Sequence, residues 1–111
     1  VVAASDGLCW INSTGNPGMA SGGMGDVLTG LIAGLLTQGA APLDAACAGV
    51  FLHGRAADVL ADRIGPFGYL AGDVMAEIPS RLEESMNGES FTTPGTWPVT
   101  GIPCLPLRGN G

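Results

Sequence analysis

Twelve consecutive residues, Gly15-Asn16-Pro17-Gly18-Met19-Ala20-Ser21-Gly22-Gly23-Met24-Gly25-Asp26, hold five glycines and end on a carboxylate. Directly behind them runs the apolar stretch Val27-Leu28-Thr29-Gly30-Leu31-Ile32-Ala33-Gly34-Leu35-Leu36. Nothing else in the chain restricts its fold as strongly. Glycine has no Cβ, so a backbone rich in it turns tightly and can approach a ligand closely. Where such a loop opens a helix, several unpaired N–H groups point to one place and the helix dipole adds positive potential. That combination binds phosphate. Asp26 stands beside it, and a phosphate cradle next to a base is what phosphoryl transfer to a hydroxyl needs. The same residues admit a plainer reading, in which Asp26 only caps the helix and the glycines only turn the chain.

Around this motif the hydrophobic pattern predicts a hairpin and three helices. Residues 1–4 and 8–11 read as strands joined at Ser5-Asp6-Gly7, because Asp-Gly between β-prone segments is a hairpin turn signal. A first helix is predicted over 26–38, closed by Gly39. It carries no charge between Val27 and Leu43, but it is too short to span a bilayer, and Gly30, Gly34, Thr37, Gln38 and Gly39 interrupt it. A helix apolar all round is expected to be buried in a core. Gly30 and Gly34 share one face, where close approach of a strand or nucleotide is expected. A second helix starts near Pro42-Leu43 with Asp44 in its first turn and runs to about 62, with Ala46, Val50, Ala57 and Leu60 on its apolar side. A third covers about 71–86 from the recurrence of Val74, Ile78 and Leu82, with Pro79 marking a kink or a late start. From Asn87 onward Pro, Gly and Thr replace any periodicity. Residues 87–111 therefore read as an irregular tail set apart from 1–86.

Charge and cysteine content narrow the function classes. The net charge is −6, and the four basic residues are all Arg. Phosphate-backbone binding requires a basic patch, so nucleic acid is excluded as a partner. Cys9, Cys47 and Cys104 are odd in number and far apart, which argues against a disulfide framework and against a zinc site. A reducing, cytoplasmic setting is expected, with no metal ligands identifiable. His53, the single histidine, reads as a packing residue. Asp44, Asp58, Asp62 and Asp73 read as helix-surface charges, and Ser21 as either a phosphate donor or a loop cap. A chain of 111 residues supports one modest core. It opens on Val in what reads as mid-strand, so the expectation is the C-terminal part of a larger α/β domain. Most of a parallel sheet and of the substrate pocket would then lie upstream, and the piece alone is expected to be inactive.

The string Gly-Asn-Pro-Gly-Met-Ala-Ser-Gly-Gly-Met-Gly-Asp-Val-Leu-Thr-Gly resembles the anion-hole signature of the ribokinase-like superfamily. Within it, the string looks most like that of the ADP/ATP-dependent NAD(P)H-hydrate dehydratases. Val1-Val2-Ala3-Ala4-Ser5-Asp6-Gly7-Leu8-Cys9-Trp10-Ile11-Asn12 is similar to the hairpin that precedes the signature. Pro42-Leu43-Asp44-Ala45-Ala46 and Val50-Phe51-Leu52-His53-Gly54-Arg55-Ala56-Ala57-Asp58 resemble the helix that follows it. Gly68-Tyr69-Leu70-Ala71-Gly72-Asp73-Val74 resembles the start of the last helix. The likeness covers residues 1 to about 86. Met24 departs from the small Ser or Thr more usual at its position, a change that an anion hole made of backbone N–H groups tolerates.

The resemblance implies an α/β fold, a ribokinase-like three-layer sandwich of which this chain is the C-terminal part. It places the role of base on Asp26 and assigns nucleotide phosphates to Gly22, Gly23, Met24 and Gly25. Asn16 either contacts the nucleotide or shapes the Gly-Asn-Pro-Gly turn. The implied reaction phosphorylates the hydroxyl of a hydrated nicotinamide ring, then eliminates phosphate to restore NADH or NADPH. ADP or ATP would be co-substrate, with Mg2+ accompanying its phosphates. A homo-oligomer and a fused or partner epimerase domain are implied as well. Two other readings stay open on the residues: a ribokinase-like kinase acting on a vitamin-precursor or sugar hydroxyl, and a non-catalytic nucleotide-binding fragment.

Overall fold

The computed structural model describes residues 1–85 and 105–107. The N-terminal hairpin consists of β1 (Val2–Ala3) and β2 (Cys9–Ile11), paired antiparallel with Val2 opposite Trp10 and Ala3 opposite Cys9. Its turn is closed twice. Gly7 N–H donates to Ala4 O at 3.0 Å, and Leu8 N–H donates to Asp6 Oδ1 at 3.0 Å. Strand β3 (Leu105–Leu107) then adds antiparallel to β2, with Ile11 opposite Leu105 and Cys9 opposite Leu107. An irregular tail is the expectation for 87–111, and at Leu105–Leu107 a strand stands instead. Its Pro106 has no N–H to give to a ladder, so it suits the outer position it occupies in the order β1-β2-β3. The remainder of that segment lies outside the described residues.

Helices α1 (Met24–Thr37), α2 (Pro42–Arg63) and α3 (Ala71–Ser85) follow the hairpin. The stop at Gly39 has a clear cause. Gly39 takes φ 100°, its N–H donates to Leu36 O at 3.1 Å, and Ala40 N–H donates to Leu35 O at 3.2 Å. This doubly bonded left-handed cap satisfies two carbonyls that the helix end would otherwise orphan. Pro42 occupies the first turn of α2, where its missing N–H costs nothing. Helix α3 runs from Ala71 through Pro79, so no late start occurs. Arg63 Nη1 meets Glu77 Oε1 at 2.7 Å and Arg55 Nη2 meets Glu84 Oε1 at 3.4 Å, so α2 and α3 lie antiparallel.

The core has two parts. Met24, Ala56, Ala57, Leu60, Tyr69 and Val74 form one cluster where α1, α2 and α3 meet, and Leu35, Ala40, Ala45 and Ala48 form a second between α1 and α2. The buried face of α2 includes Ala45, Ala48, Leu52, Ala56 and Leu60, a 3–4 spacing, while Ala46 and Val50 are only half-buried. The expectation that α1 is buried all round is corrected. Met24 and Leu35 are its only buried residues, and Leu36 is 42% exposed. Only the side facing α2 and α3 is covered, and no described residue packs on the rest. Among the described residues nothing approaches Gly30 or Gly34 within 4 Å of a Cβ position, so the close approach expected at that face is not seen.

Candidate functional site

The glycine-rich loop leaves β2, passes through a single 3-10 turn at Pro17–Met19, and enters α1 at Met24. Gly23 occupies the cap position with φ 89°, a left-handed conformation that an L side chain adopts only at a cost. No side chain caps the helix. The first amide to close onto it is that of Val27, donating to Gly23 O at 3.1 Å. The amides of Gly22 to Asp26 ahead of it have no partner among the described residues and stand at the positive end of a 14-residue helix. The capping role open to Asp26 in the sequence is not used, because Asp26 sits one turn too late, inside the helix. Among the described residues its exposed carboxylate takes no hydrogen bond and joins no ion pair.

Met24 has two functions in one residue. Its side chain is 6% exposed and packs in the core cluster with Ala56, Ala57, Leu60, Tyr69 and Val74, while its amide stands at the open helix end. The Met24 side chain thus anchors the start of α1. Beside Asp26 lies a groove of about 430 Å³, walled by Val27, Gly30 and Leu31 of α1 and by Met75, Ile78 and Pro79 of α3. Among the described residues Asp26 is its only charged wall residue. A volume of this order accommodates a small organic ligand.

His53 is 6% exposed on α2 and its Nε2 has no hydrogen-bond partner among the described residues. Burial lowers the imidazole pKa, and a hydrogen-bonding contact with the Met24 backbone pulls the other way. The packing role read from the sequence agrees with this: a neutral ring is wedged beneath the first turn of α1. Among the described residues no cluster of three or more His, Cys, Asp or Glu side chains could hold a metal ion. Cys9 and Cys47 are not joined in a disulfide. No helix among the described residues is long and apolar enough to cross a membrane.

Several residues that hold the loop are not recognisable as such in the sequence. Asp58, read there as a surface charge, accepts from Gly15 N–H at 3.1 Å and from Asn16 Nδ2 at 2.9 Å. Asn16 Oδ1 accepts in turn from Gly18 N–H at 3.0 Å and from the Tyr69 hydroxyl. Tyr69 is 1% exposed; burial pushes its phenol up, the bond to Asn16 opposes that shift, and the Asp58 charge adds to it. Asn12 Nδ2 donates to Val50 O at 3.1 Å and Thr14 Oγ1 to Phe51 O at 2.9 Å, so the chain leaving β2 follows α2 closely. Gly54 permits this approach, because a Cβ there would lie 2.8 Å from Gly15 N. Asp73 is likewise not a free charge, since it accepts from Leu70 N–H at 2.8 Å at the start of α3. The spacing Val50, Gly54, Asp58, one residue per turn on one helix face, is the signal that could have exposed this contact.

Comparison with known proteins places these features in context. A family model described as NAD(P)H-hydrate dehydratase matches residues 1–80. A bifunctional NAD(P)H-hydrate repair enzyme Nnr of Escherichia coli is 56% identical over 89 residues, which is 80% of this chain and 16% of that protein. ADP-dependent (S)-NAD(P)H-hydrate dehydratases of Neisseria meningitidis and Bacillus subtilis are 48% and 40% identical, over 78% and 75% of this chain and 30% and 31% of theirs. The chain therefore spans under a third of the length of these relatives. No solved structure matches it.

Proposed function

Because the chain belongs to the NAD(P)H-hydrate dehydratase family, we propose that the full-length protein uses a nucleotide to dehydrate the S form of NADH hydrate or NADPH hydrate. The carboxylate of Asp26 takes the proton of the ring hydroxyl, and the oxygen attacks the terminal phosphoryl group of ADP or ATP. The O–P bond to the nucleotide breaks and AMP or ADP leaves. In the second step the C–O bond breaks with inorganic phosphate as leaving group. A proton departs from the neighbouring ring carbon, and the double bond of the dihydronicotinamide re-forms. Hydroxide is a poor leaving group and phosphate a good one, which is why a lyase would consume a nucleotide.

The observation that carries this reading is the pairing of open amides at Gly22–Gly25 with the carboxylate of the next residue, Asp26, which has no partner among the described residues. Preorganised N–H donors stabilise the charge that develops on a phosphoryl group in flight, and losing one such donor costs roughly 10²–10³ in rate. A divalent cation would arrive on the nucleotide's phosphates. The described residues include no cluster of ligands able to hold one, so no step is assigned to it. The bare side of α1 fits a ribokinase-like three-layer sandwich in which further chain covers it. Some relatives are named bifunctional, which supports a second activity in the same polypeptide. An epimerase suits that place, since an enzyme selective for the S form leaves the R form unrepaired. A cytoplasmic setting fits an enzyme that acts on NADH and NADPH.

The test is incubation of the full-length protein with hydrated NADH or NADPH and either ADP or ATP, following the return of dihydronicotinamide absorbance. Recovery that requires nucleotide is the expected outcome. A folded, nucleotide-binding protein that gives no recovery but phosphorylates small alcohols would replace this reading with the kinase one.

A further inference from the structure

The front of the glycine loop is held by a hydrogen-bonded unit that takes no part in the chemistry proposed above. Asp58 on α2 accepts from two donors of the loop, Gly15 N–H at 3.1 Å and Asn16 Nδ2 at 2.9 Å. The other end of the same Asn16 amide accepts from Gly18 N–H at 3.0 Å and from the hydroxyl of Tyr69, which precedes α3. A Cβ at Gly18 would stand 2.7 Å from that hydroxyl, so loop and ring are in close contact. Tyr69 in turn shares the core cluster with Met24, the first residue of α1. The loop is therefore fixed at two places, by Asn16 ahead of Gly22–Gly25 and by the Met24 side chain within them.

We propose that Asp58, Asn16 and Tyr69 act together as a positioning unit, setting where the Gly22–Gly25 amides meet the nucleotide phosphate. This rests on the reading of those amides as the phosphate cradle. Asn16 then influences the nucleotide through the shape of the loop, both ends of its side chain being engaged within the protein. The polarity of the unit is specific. An acceptor-only group at position 58 faces the donor end of the Asn16 amide, and the acceptor end of that amide faces two donors. Asp58→Asn sets an amide where only acceptors serve, unless it turns its oxygen to one donor and abandons the other. Asn16→Asp sets two carboxylates face to face. The reciprocal double variant, Asn16→Asp with Asp58→Asn, restores every donor–acceptor match. The new amide at position 58 would accept from Gly15 N–H and donate to the new carboxylate at position 16. That carboxylate would accept from Gly18 N–H and the Tyr69 hydroxyl. Net charge is unchanged.

The experiment measures ADP affinity, kcat and KM for nucleotide, and thermal midpoint in the full-length protein and these three variants. A misplacement of about 1 Å costs about 10²-fold in rate, and each single variant is expected to lose kcat/KM on that order, with weakened ADP binding. The double variant is expected to regain at least about tenfold, the scale of a coupled pair. Two results overturn the proposal: single variants with wild-type ADP affinity and kcat/KM, or a double variant no better than the worse single. A wild-type protein that binds ADP yet restores no NADH refutes the dehydratase reading alone, and ADP affinity across the variants then decides the positioning unit. A wild-type protein that binds no nucleotide refutes both. Where a single variant does not fold, Tyr69→Phe keeps the ring and removes only its donation to Asn16. It is expected to weaken ADP binding in the same direction, and unchanged binding overturns the proposal.

Discussion

The two halves of the glycine-rich loop share a composition and differ in almost every contact. From Gly15 to Met19 the polar groups are tied into the protein through Asp58, Asn16 and Tyr69, and the backbone lies against Gly54. From Gly22 to Asp26 the amides and the carboxylate have no partner among the described residues, and an apolar groove opens beside them. Glycine serves opposite ends in the two places. In the first half it lets backbone and helix close together, and in the second it leaves donors uncovered. An unpaired donor next to rigid neighbours is a preorganised binding group, because nothing has to be broken or moved before a ligand arrives.

This contrast can be broken from either side, and the largest effect is expected at the carboxylate. Asp26→Asn removes the proposed general base, an expected loss of about 10²–10⁴ in kcat, and leaves the thermal midpoint nearly unchanged because the carboxylate takes no partner among the described residues. Loss of activity together with a lowered midpoint would show that Asp26 is structural. Next comes Gly54→Ala, which drives a methyl group into the Thr14–Gly15 backbone. Overpacking of this kind costs about 1–3 kcal/mol, readable in denaturant unfolding, and an unaffected midpoint would mean the loop does not lie against α2. Gly23→Ala forces a left-handed φ on an L residue, at about 1–2 kcal/mol, and should also weaken nucleotide binding, since the cap sets the direction of the amides that follow.

Smaller effects sharpen the picture. His53 is held neutral by burial, with its pKa below the ordinary 6.5. The unfolded chain takes up a proton near that value before the folded one does, so stability falls as pH drops from about 6.5 toward the folded pKa. His53→Gln should abolish that part of the slope in pH-dependent unfolding, and an unchanged slope would assign it to the carboxylates. Arg55→Ala breaks an exposed pair with Glu84 that is worth about 0.2–1 kcal/mol at most. A larger loss would mean that the α2–α3 contact depends on charge more than on the Leu60–Tyr69–Val74 core.

Local chemistry is legible in the sequence, and contacts across the fold are not. The hairpin turn at Asp6-Gly7, the helix stop at Gly39 and the start at Pro42 each follow from backbone preferences of the residues themselves. The open helix end at Gly22–Gly25 is legible for the same reason, since it is made of glycine and backbone. Asp58 and Tyr69 stand 42 and 53 residues from Asn16, and the Val50, Gly54, Asp58 spacing marks a helix face without naming the loop residue that meets it. The same holds for α1. An apolar pattern reports what a helix is able to bury, and on its bare side nothing described is there to bury it. At Asp26 the residues alone admit both cap and base, and the position of Gly23 as the cap removes the first.

The claim that one half of the loop is committed to structure and the other reserved for phosphate is tested most directly by the glycines themselves. Full-length protein labelled with 15N at glycine reports Gly15 and Gly18 in the first half and Gly22, Gly23 and Gly25 in the second, within one spectrum. On titration with ADP, the account predicts that the amide resonances of Gly22, Gly23 and Gly25 move with a common affinity while those of Gly15 and Gly18 stay in place. Movement confined to Gly15 and Gly18, or no movement at saturating ADP in protein that binds it elsewhere, would contradict it.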